Sequence, residues 1–234
     1  MLAQTIPPKE VFIYDNGSNS DVYDALEPYL KKGVRWFNSD RTRSAAWNSR
    51  RAFKGSKSKY TVVMHDDDKL CNTFLEEQVA FLEKSSSIIA IGSNGYVINE
   101  KSERTGSTVL NDNIEECVEL FECSAQVAIK YAKDSCIPMS SMVYRTECVI
   151  ELNFREEFKK VADAVFLCDM ADIGTIALNP KPLYECREHT GQDSSYFSSE
   201  LMESLEEFFW SRESNNINDI EKLHKLLIRQ HTLR

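Results

Sequence analysis

Residues 60–68 read Tyr60-Thr61-Val62-Val63-Met64-His65-Asp66-Asp67-Asp68. The first five side chains are apolar, aromatic or β-branched, which is typical of a buried strand. Three carboxylates follow where that strand ends, and ligands of open parallel sheets bind just outside the carboxyl ends of the strands. We therefore predict an α/β fold with a ligand site at this end of the sheet.

Strand-like and helix-like patterns alternate around this stretch, which predicts a Rossmann-type mixed, mostly parallel sheet flanked by helices. The predicted strands are 11–14, 34–37, 60–64, 88–91, 96–98, 139–144, 175–178 and 183–186. The predicted helices are 21–30, 44–53, one after Thr73 with Glu76 completing a capping box, 114–133, 161–172, 199–210 and 217–230. We expect one domain at 1–195 and a C-terminal helical extension of it at 196–234.

Composition narrows the class of function. The chain has 234 residues and a formal net charge of −9, so we expect no nucleic-acid partner, because such a partner requires a basic face. A local basic patch nevertheless lies within residues 41–59. Its members are Arg41, Arg43, Arg50, Arg51, Lys54, Lys57 and Lys59. It is either a solvated helix face or a positive rim beside a phosphate-bearing donor or an anionic membrane.

Cysteine usage and hydropathy indicate the compartment. The seven cysteines include no C-x-x-C pair, and their spacing fits neither a zinc site nor a disulfide framework. No apolar run is long enough for a signal peptide or a membrane span. We expect a cytoplasmic protein with reduced thiols.

The acidic run after the strand predicts a metal site. Three adjacent carboxylates repel one another unless a cation neutralises them. Oxygen ligands suit Mg²⁺ or Mn²⁺, and such ions usually also hold substrate phosphates. The alternative is a solvated loop with one aspartate at a helix N-terminus.

Two further carboxylates are candidates for function. Asp15 opens the turn Asp15-Asn16-Gly17-Ser18 at a strand end and could accept hydrogen bonds from a base or a ribose, although such a turn can simply lead into a helix. Asp163 has apolar neighbours, so its ionised form needs a cavity or a partner. Downstream, His189 could bind a metal or a phosphate, or could be exposed without a role.

Several motifs occur in a characteristic order. Gln4-Thr5-Ile6-Pro7-Pro8-Lys9-Glu10 precedes the first strand, and Arg43-Ser44-Ala45-Ala46-Trp47-Asn48 opens a helix. The segment 182–194 reads P-L-Y-E-C-R-E-H-T-G-Q-D-S. Together with the acidic run, which is similar to a D-x-D motif, these segments resemble the family 2 glycosyltransferases of the GT-A fold. The resemblance extends from Gln4 to about Ser195.

This resemblance implies roles for the donor-binding residues. Asp15 and Ser18 would contact the donor nucleotide, and Asp66 and Asp67 would help to hold it. Asp68 is the favoured ligand of Mn²⁺ or Mg²⁺, although the register of an all-aspartate run leaves the choice between Asp67 and Asp68 open.

The downstream motif would complete the site. Arg187 would contact the donor, and His189 would lie by the diphosphate as a further metal ligand. Asp163 would be the general base of an inverting transfer from a nucleotide-diphosphate sugar, with a UDP-sugar as the expected donor, to a glycan or lipid-linked acceptor in polysaccharide or glycolipid synthesis. A lipid-linked acceptor would imply peripheral contact with a membrane.

Three features depart from the family pattern. The family's usual first strand precedes the Gln4 segment, so we expect an N-terminally truncated domain or a start further upstream. Trp47 stands where the family usually has arginine, and His65 where aspartate or leucine is common. A non-catalytic nucleotide-sugar-binding or scaffold protein is therefore one alternative. A phosphoryl or nucleotidyl transferase is another, although no G-x-x-x-x-G-K-[ST] loop occurs.

Overall fold

The computed structural model describes residues 1–17, 21–110, 117–134 and 137–189, and the single positions 207, 208, 221 and 225. The strands are β1 (Phe12–Asp15), β2 (Arg35–Asn38), β3 (Tyr60–Val62), β4 (Lys69–Leu70), β5 (Ile88–Ile98), β6 (Arg104–Thr108), β7 (Glu119–Phe121), β8 (Val143–Arg145) and β9 (Thr175–Arg187). The helices are α1 (Asp21–Leu30), α2 (Ala45–Gly55), α3 (Phe74–Leu82), α4 (Ser124–Asp134), α5 (Thr146–Val149) and α6 (Ala162–Ala171), with 3-10 turns at Met139–Ser141 and Glu156–Val161.

These strands form two sheets. β1 and β2 pair in parallel as a separate two-stranded sheet. The other seven have the central order β3-β8-β5-β9-β4, with β6 added to β5 and β7 added to β9. Among these described strands, β5 and β9 pair in parallel, whereas the other five pairings of the larger sheet are antiparallel.

The predicted α/β class with a mixed sheet and flanking helices is confirmed, but the prediction that this sheet is mostly parallel is wrong. β3 and β5 are not neighbours, because β8 runs between them in the opposite direction. The residues of β8 lie far along the chain from β3. The local alternation of strand and helix patterns therefore could not reveal this insertion.

The sheet is buried on both faces. Ala90 of β5 packs into a cluster that includes Phe166 of α6, whereas its neighbour Ile91 packs with Phe74 of α3 on the opposite face. Successive strand residues point to opposite faces, so this alternation fits helices on both sides of the sheet. On the α6 side, the rings of Phe154 and Phe166 stack with centroids 4.3 Å apart.

The start of α3 differs from its predicted capping box. Thr73 makes no side-chain capping bond, and Thr5 Oγ1 instead donates to the carboxylate of Glu76 at 2.7 Å. The Gln4 side chain accepts from the Leu75 amide at 2.9 Å and donates to the Cys71 carbonyl at 2.8 Å. The Gln-Thr pair of the N-terminal motif therefore fastens the start of the chain to this helix, a long-range contact that no local pattern could show.

The C-terminal extension falls mostly outside the described residues, as do most of the two helices predicted there. Phe208 is buried, and its ring centroid lies 5.3 Å from that of Phe158. No helix within the described ranges is both long and apolar enough to span a bilayer.

Candidate functional site

The acidic run lies in the loop that joins β3 to β4. These two strands stand at opposite ends of the central strand order. Residues 63–68 must therefore cross the sheet, a distance of about 19 Å for four strand spacings, which nearly extended chain can span. The far end of the loop is fixed because Lys69 and Leu70 pair with Glu185 and Tyr184 of β9.

Three side chains of this loop have the geometry of a metal site. One ligand atom each from His65, Asp67 and Asp68 lies within 4.8 Å of the others. Asp67 and Asp68 are half-buried, whereas His65 and Asp66 are exposed. Two carboxylates and an imidazole are a fitting ligand set for a divalent ion such as Mn²⁺. Asp66 is not part of this group, so its predicted contact with the nucleotide stays a prediction.

Arg187, at the end of β9, holds residues 63–68, the metal-ligand loop, in place. Its backbone amide donates to Asp68 Oδ1 at 3.0 Å, and its Nε donates to the Asp67 carbonyl at 3.0 Å. Its Nη1 donates to the Asn99 carbonyl at 2.8 Å and its Nη2 to Ser102 Oγ at 3.0 Å. These contacts make Arg187 a support of the loop, and its predicted contact with the donor stays a prediction.

His189 also lies against the metal-ligand loop. Its Nε2 is 3.2 Å from Asp67 Oδ2. The structure thus brings Asp67, Asp68, Arg187 and His189 together at the end of β9. The ligand group nevertheless forms with His65 rather than His189, so the predicted metal ligation by His189 stays a prediction.

Asp163 lies in the first turn of α6 and is held at both carboxylate oxygens. Tyr131 of α4 donates its hydroxyl to Oδ2 at 2.8 Å, and the Ala164 amide donates to Oδ1 at 2.7 Å. Burial raises the pKa of Asp163, while the Tyr131 hydrogen bond, the backbone amides and the positive charge of a protonated His65 act in the opposite direction. Val63, which follows β3, packs against the core cluster that contains Tyr131 and Ala164, so the loop after β3 and the start of α6 border the same part of the core.

Tyr144 of β8 is a further ionisable neighbour of Asp163. Burial raises the pKa of this tyrosine, and the negative charge of Asp163 raises it further. Its hydroxyl donates to Met139 Sδ at 3.4 Å. The adjacent Ser140 accepts through Oγ from the His65 amide at 3.2 Å. The turn at 139–141 thus connects the surroundings of Asp163 to the metal-ligand loop.

The Asp15 turn is built by contacts between two loops at the carboxyl ends of β1 and β2. Asp15 is buried, and its Oδ2 accepts from Trp36 Nε1 at 3.2 Å. The side chain of Asn16 donates through Nδ2 to the Arg43 carbonyl at 2.8 Å and accepts through Oδ1 from the Arg43 backbone amide at 3.1 Å. Gly17 has a φ of +87°, and a Cβ there would lie 2.5 Å from the Arg41 carbonyl carbon. Ser18 lies outside the described residues.

Two members of the basic patch pack against aromatic rings beside this turn. The guanidinium carbons of Arg43 and Arg51 lie 4.4 Å and 5.1 Å from the centre of the Trp47 ring. Arg51 Nη2 also donates to the carbonyls of Asp15 and Phe37, at 3.0 Å and 2.8 Å. These two arginines therefore stabilise the turn rather than forming part of a solvated face.

Two residues at the site have no role in the predictions made from the sequence. His65 departs from the family pattern at its position, so the resemblance implies no function for it. Tyr131 gave no local signal, because its partner Asp163 lies 32 residues further along the chain.

Comparisons with known proteins give a consistent result. The sequence model described as "Glycosyl transferase family 2" matches residues 1–151. The chain is 26% identical over 213 residues to an uncharacterised glycosyltransferase of Haemophilus influenzae, covering 87% of this chain and 64% of that protein. The chain thus spans slightly under two thirds of that relative's length.

Solved structures support the fold. The crystal structure of Staphylococcus aureus TarS superposes with a TM-score of 0.65 at 15% sequence identity, covering 98% of this chain and 39% of that one. A structure of TarS residues 1–349 gives the same TM-score and identity, with 65% of that chain covered. At this identity the likeness speaks for the GT-A-like arrangement of the chain and not for its substrates.

Proposed function

The chain belongs to glycosyl transferase family 2, and on that premise we propose that it transfers a sugar from a nucleoside diphosphate sugar to an acceptor hydroxyl. The donor in this proposal is a UDP-sugar, and the acceptor is a glycan or a lipid-linked sugar of polysaccharide or glycolipid synthesis. A cytoplasmic protein with peripheral contact to a membrane would have access to such an acceptor. The catalytic domain comprises residues 1–195, and the burial of Phe208 supports a C-terminal extension that packs on it.

One observation carries the proposal: the loop that holds the metal-ligand group packs through Val63 against the part of the core that contains Tyr131 and Ala164, the two hydrogen-bond partners of Asp163. Sugar transfer needs two opposed kinds of group. One stabilises the negative charge of the departing diphosphate, and the other takes the proton of the acceptor hydroxyl. Val63 and the metal-ligand group belong to the same loop, which supports placing both kinds of group at one site.

Asp67 and Asp68 would hold a divalent cation at the donor diphosphate. When bound, such a cation stabilises the charge that develops on a leaving diphosphate. The protein contributes a loop that is already fixed, since the backbone amide and the guanidinium of Arg187 bind it from β9. Because this loop is already ordered before a cation binds, the free energy of binding is not reduced by the entropy cost of ordering the loop.

Asp163 is suited to the role of general base. Burial raises the pKa of Asp163, and a carboxylate whose pKa is raised is a stronger base than an exposed one. The Tyr131 hydroxyl fixes the orientation of the carboxylate at 2.8 Å. A single displacement with Asp163 on the acceptor side of the sugar would invert the configuration of the anomeric carbon.

The nucleotide end of the donor would lie at the Asp15 turn. Asp15 and Ser18 would contact the base or ribose, and Asp66 would contact the nucleotide from the metal-ligand loop. Arg187 and His189 would face the diphosphate. The rigid attachment of Asn16 to Arg43 supports this assignment, since a nucleotide pocket needs a fixed backbone.

A donor-turnover assay tests the proposal. Purified protein is incubated with a panel of UDP-sugars and Mn²⁺, Mg²⁺ or EDTA, and released UDP is measured. We expect metal-dependent release that falls about 10²–10⁴-fold in Asp163→Asn and is lost in Asp68→Asn. Unchanged turnover in both variants would refute the assigned roles. If the folded wild type binds no UDP at millimolar concentration with Mn²⁺, the non-catalytic scaffold alternative is correct.

A further inference from the structure

His65 is the unusual member of the metal-ligand group. It contributes a nitrogen atom to a set whose other two members, Asp67 and Asp68, contribute oxygen. Ligand atoms bound to one ion at about 2.1 Å can be about 4.2 Å apart. The separations of up to 4.8 Å therefore need only small side-chain rotations to close on one ion.

The loop presents this imidazole without committing it to another partner. The backbone of His65 is held by Ser140 Oγ at 3.2 Å. Within the described part of the chain, no hydrogen bond to the His65 ring is seen, whereas the His189 ring already lies 3.2 Å from Asp67 Oδ2. The His65 side chain is also exposed, so rotation of its ring toward an ion meets little steric resistance.

Ligand chemistry then decides which ion such a set prefers. Mg²⁺ favours oxygen ligands and gives up its water reluctantly. Carboxylate and water oxygens suit both Mg²⁺ and Mn²⁺, whereas an imidazole nitrogen binds first-row transition-metal ions, of which Mn²⁺ binds most weakly. Exchange of an oxygen ligand for His65 therefore favours Mn²⁺ over Mg²⁺.

We propose that His65 is a metal ligand in this chain and makes the site selective for Mn²⁺ over Mg²⁺. The proposal rests on the proposed function, in which Asp67 and Asp68 hold a divalent cation at the donor diphosphate. It assigns His65 a specificity for the ion rather than a step in sugar transfer.

Electron paramagnetic resonance of the Mn²⁺-loaded protein tests this directly. Mn²⁺ and UDP are added to the full chain, and pulsed spectra are examined for coupling to an imidazole ¹⁴N. We expect this coupling in the wild type and in His189→Asn, which keeps His65, but not in His65→Ala. Coupling that persists in His65→Ala and disappears in His189→Asn would show that His189 supplies the nitrogen ligand, and this would overturn the proposal.

Competition between ions gives a second readout. Mg²⁺ is titrated against bound Mn²⁺ in the wild type and in His65→Asp, which restores an oxygen ligand. We expect the ratio of Mn²⁺ to Mg²⁺ affinity to fall at least about tenfold in the variant. An unchanged ratio, together with no ¹⁴N coupling, would overturn the proposal while leaving the metal-dependent transferase intact. If neither ion binds with UDP to any of these proteins, the proposed function fails as well.

Discussion

Gly17→Ala tests how tightly the Asp15 turn depends on one residue. Gly17 has a φ of +87°, in the left-handed region, and its Cβ position lies 2.5 Å and 2.6 Å from backbone atoms of Arg41 and Thr42. Left-handed backbone costs a non-glycine residue about 1–2 kcal/mol, offset by about 0.4–1 kcal/mol from the stiffer unfolded chain. Gly33→Ala has the same strain at φ +91° but meets nothing within 4 Å, so it is a matched control.

The difference between these variants measures the contact between the loops. An alanine at position 17 must push the 41–43 loop away and would break the two hydrogen bonds between Asn16 and Arg43. At about 1 kcal/mol each, we expect Gly17→Ala to cost about 3 kcal/mol of unfolding free energy, against about 1 kcal/mol for Gly33→Ala.

Urea unfolding, followed by tryptophan fluorescence and far-ultraviolet circular dichroism, measures both values. Trp36 donates to Asp15, so its emission reports on the turn itself. If Asp15 contacts the nucleotide, UDP affinity should also fall further in Gly17→Ala than in Gly33→Ala. Equal destabilisation of the two proteins, within about 0.5 kcal/mol, would contradict the close approach of the loops as the source of the cost.

Three further changes probe the chemistry of the site. Asp163→Asn should raise the unfolding free energy at neutral pH although it removes activity. A carboxyl group whose pKa is raised in the folded state stabilises the fold only while it is protonated, so this contribution is lost as pH rises through the folded pKa. The stability advantage of Asp163→Asn over the wild type, measured by urea unfolding across pH, should therefore shrink in acid. An advantage that does not depend on pH would contradict burial as its cause. Tyr131→Phe removes a hydrogen bond that lowers the pKa of Asp163, so the acid limb of the profile of kcat/KM against pH should move to higher pH; an unmoved limb with reduced kcat would assign Tyr131 a purely structural role. Arg187→Lys keeps the charge and the backbone amide but loses the guanidinium contact with the Asp67 carbonyl. It should weaken Mn²⁺ binding about 10–100-fold in a calorimetric titration. Unchanged Mn²⁺ affinity would show that the loop keeps its conformation without the guanidinium of Arg187.

The sequence predicted those parts of the fold and site that depend on neighbouring residues. The predicted strand 60–64 forms β3 at Tyr60–Val62, and the predicted helix 161–172 forms α6 at Ala162–Ala171. Ser44 caps α2 through its hydroxyl, which accepts from the Trp47 amide at 3.1 Å. The acidic loop follows its strand as predicted, because strand, turn and cap signals lie within a few residues of one another.

Parts of the structure that depend on distant segments were not predictable in the same way. The insertion of β8 beside β3 makes the sheet largely antiparallel, and nothing near either strand encodes that choice. The predicted strands 88–91 and 96–98 are one continuous β5, because Gly92 and Gly95 lie where Met142 and Tyr184 approach the backbone and are not turns. Tyr131 likewise joins Asp163 through the packing of α4 on α6.

Calorimetric titration of UDP tests the central claim most directly, namely that Asp67 and Asp68 hold a cation that in turn binds the donor diphosphate. The account predicts that UDP binds the wild type in Mn²⁺ and that its affinity falls about 100-fold or more in EDTA. The double variant Asp67→Asn, Asp68→Asn should bind UDP equally weakly with and without Mn²⁺. Equal UDP affinity of the wild type in Mn²⁺ and in EDTA would contradict the claim.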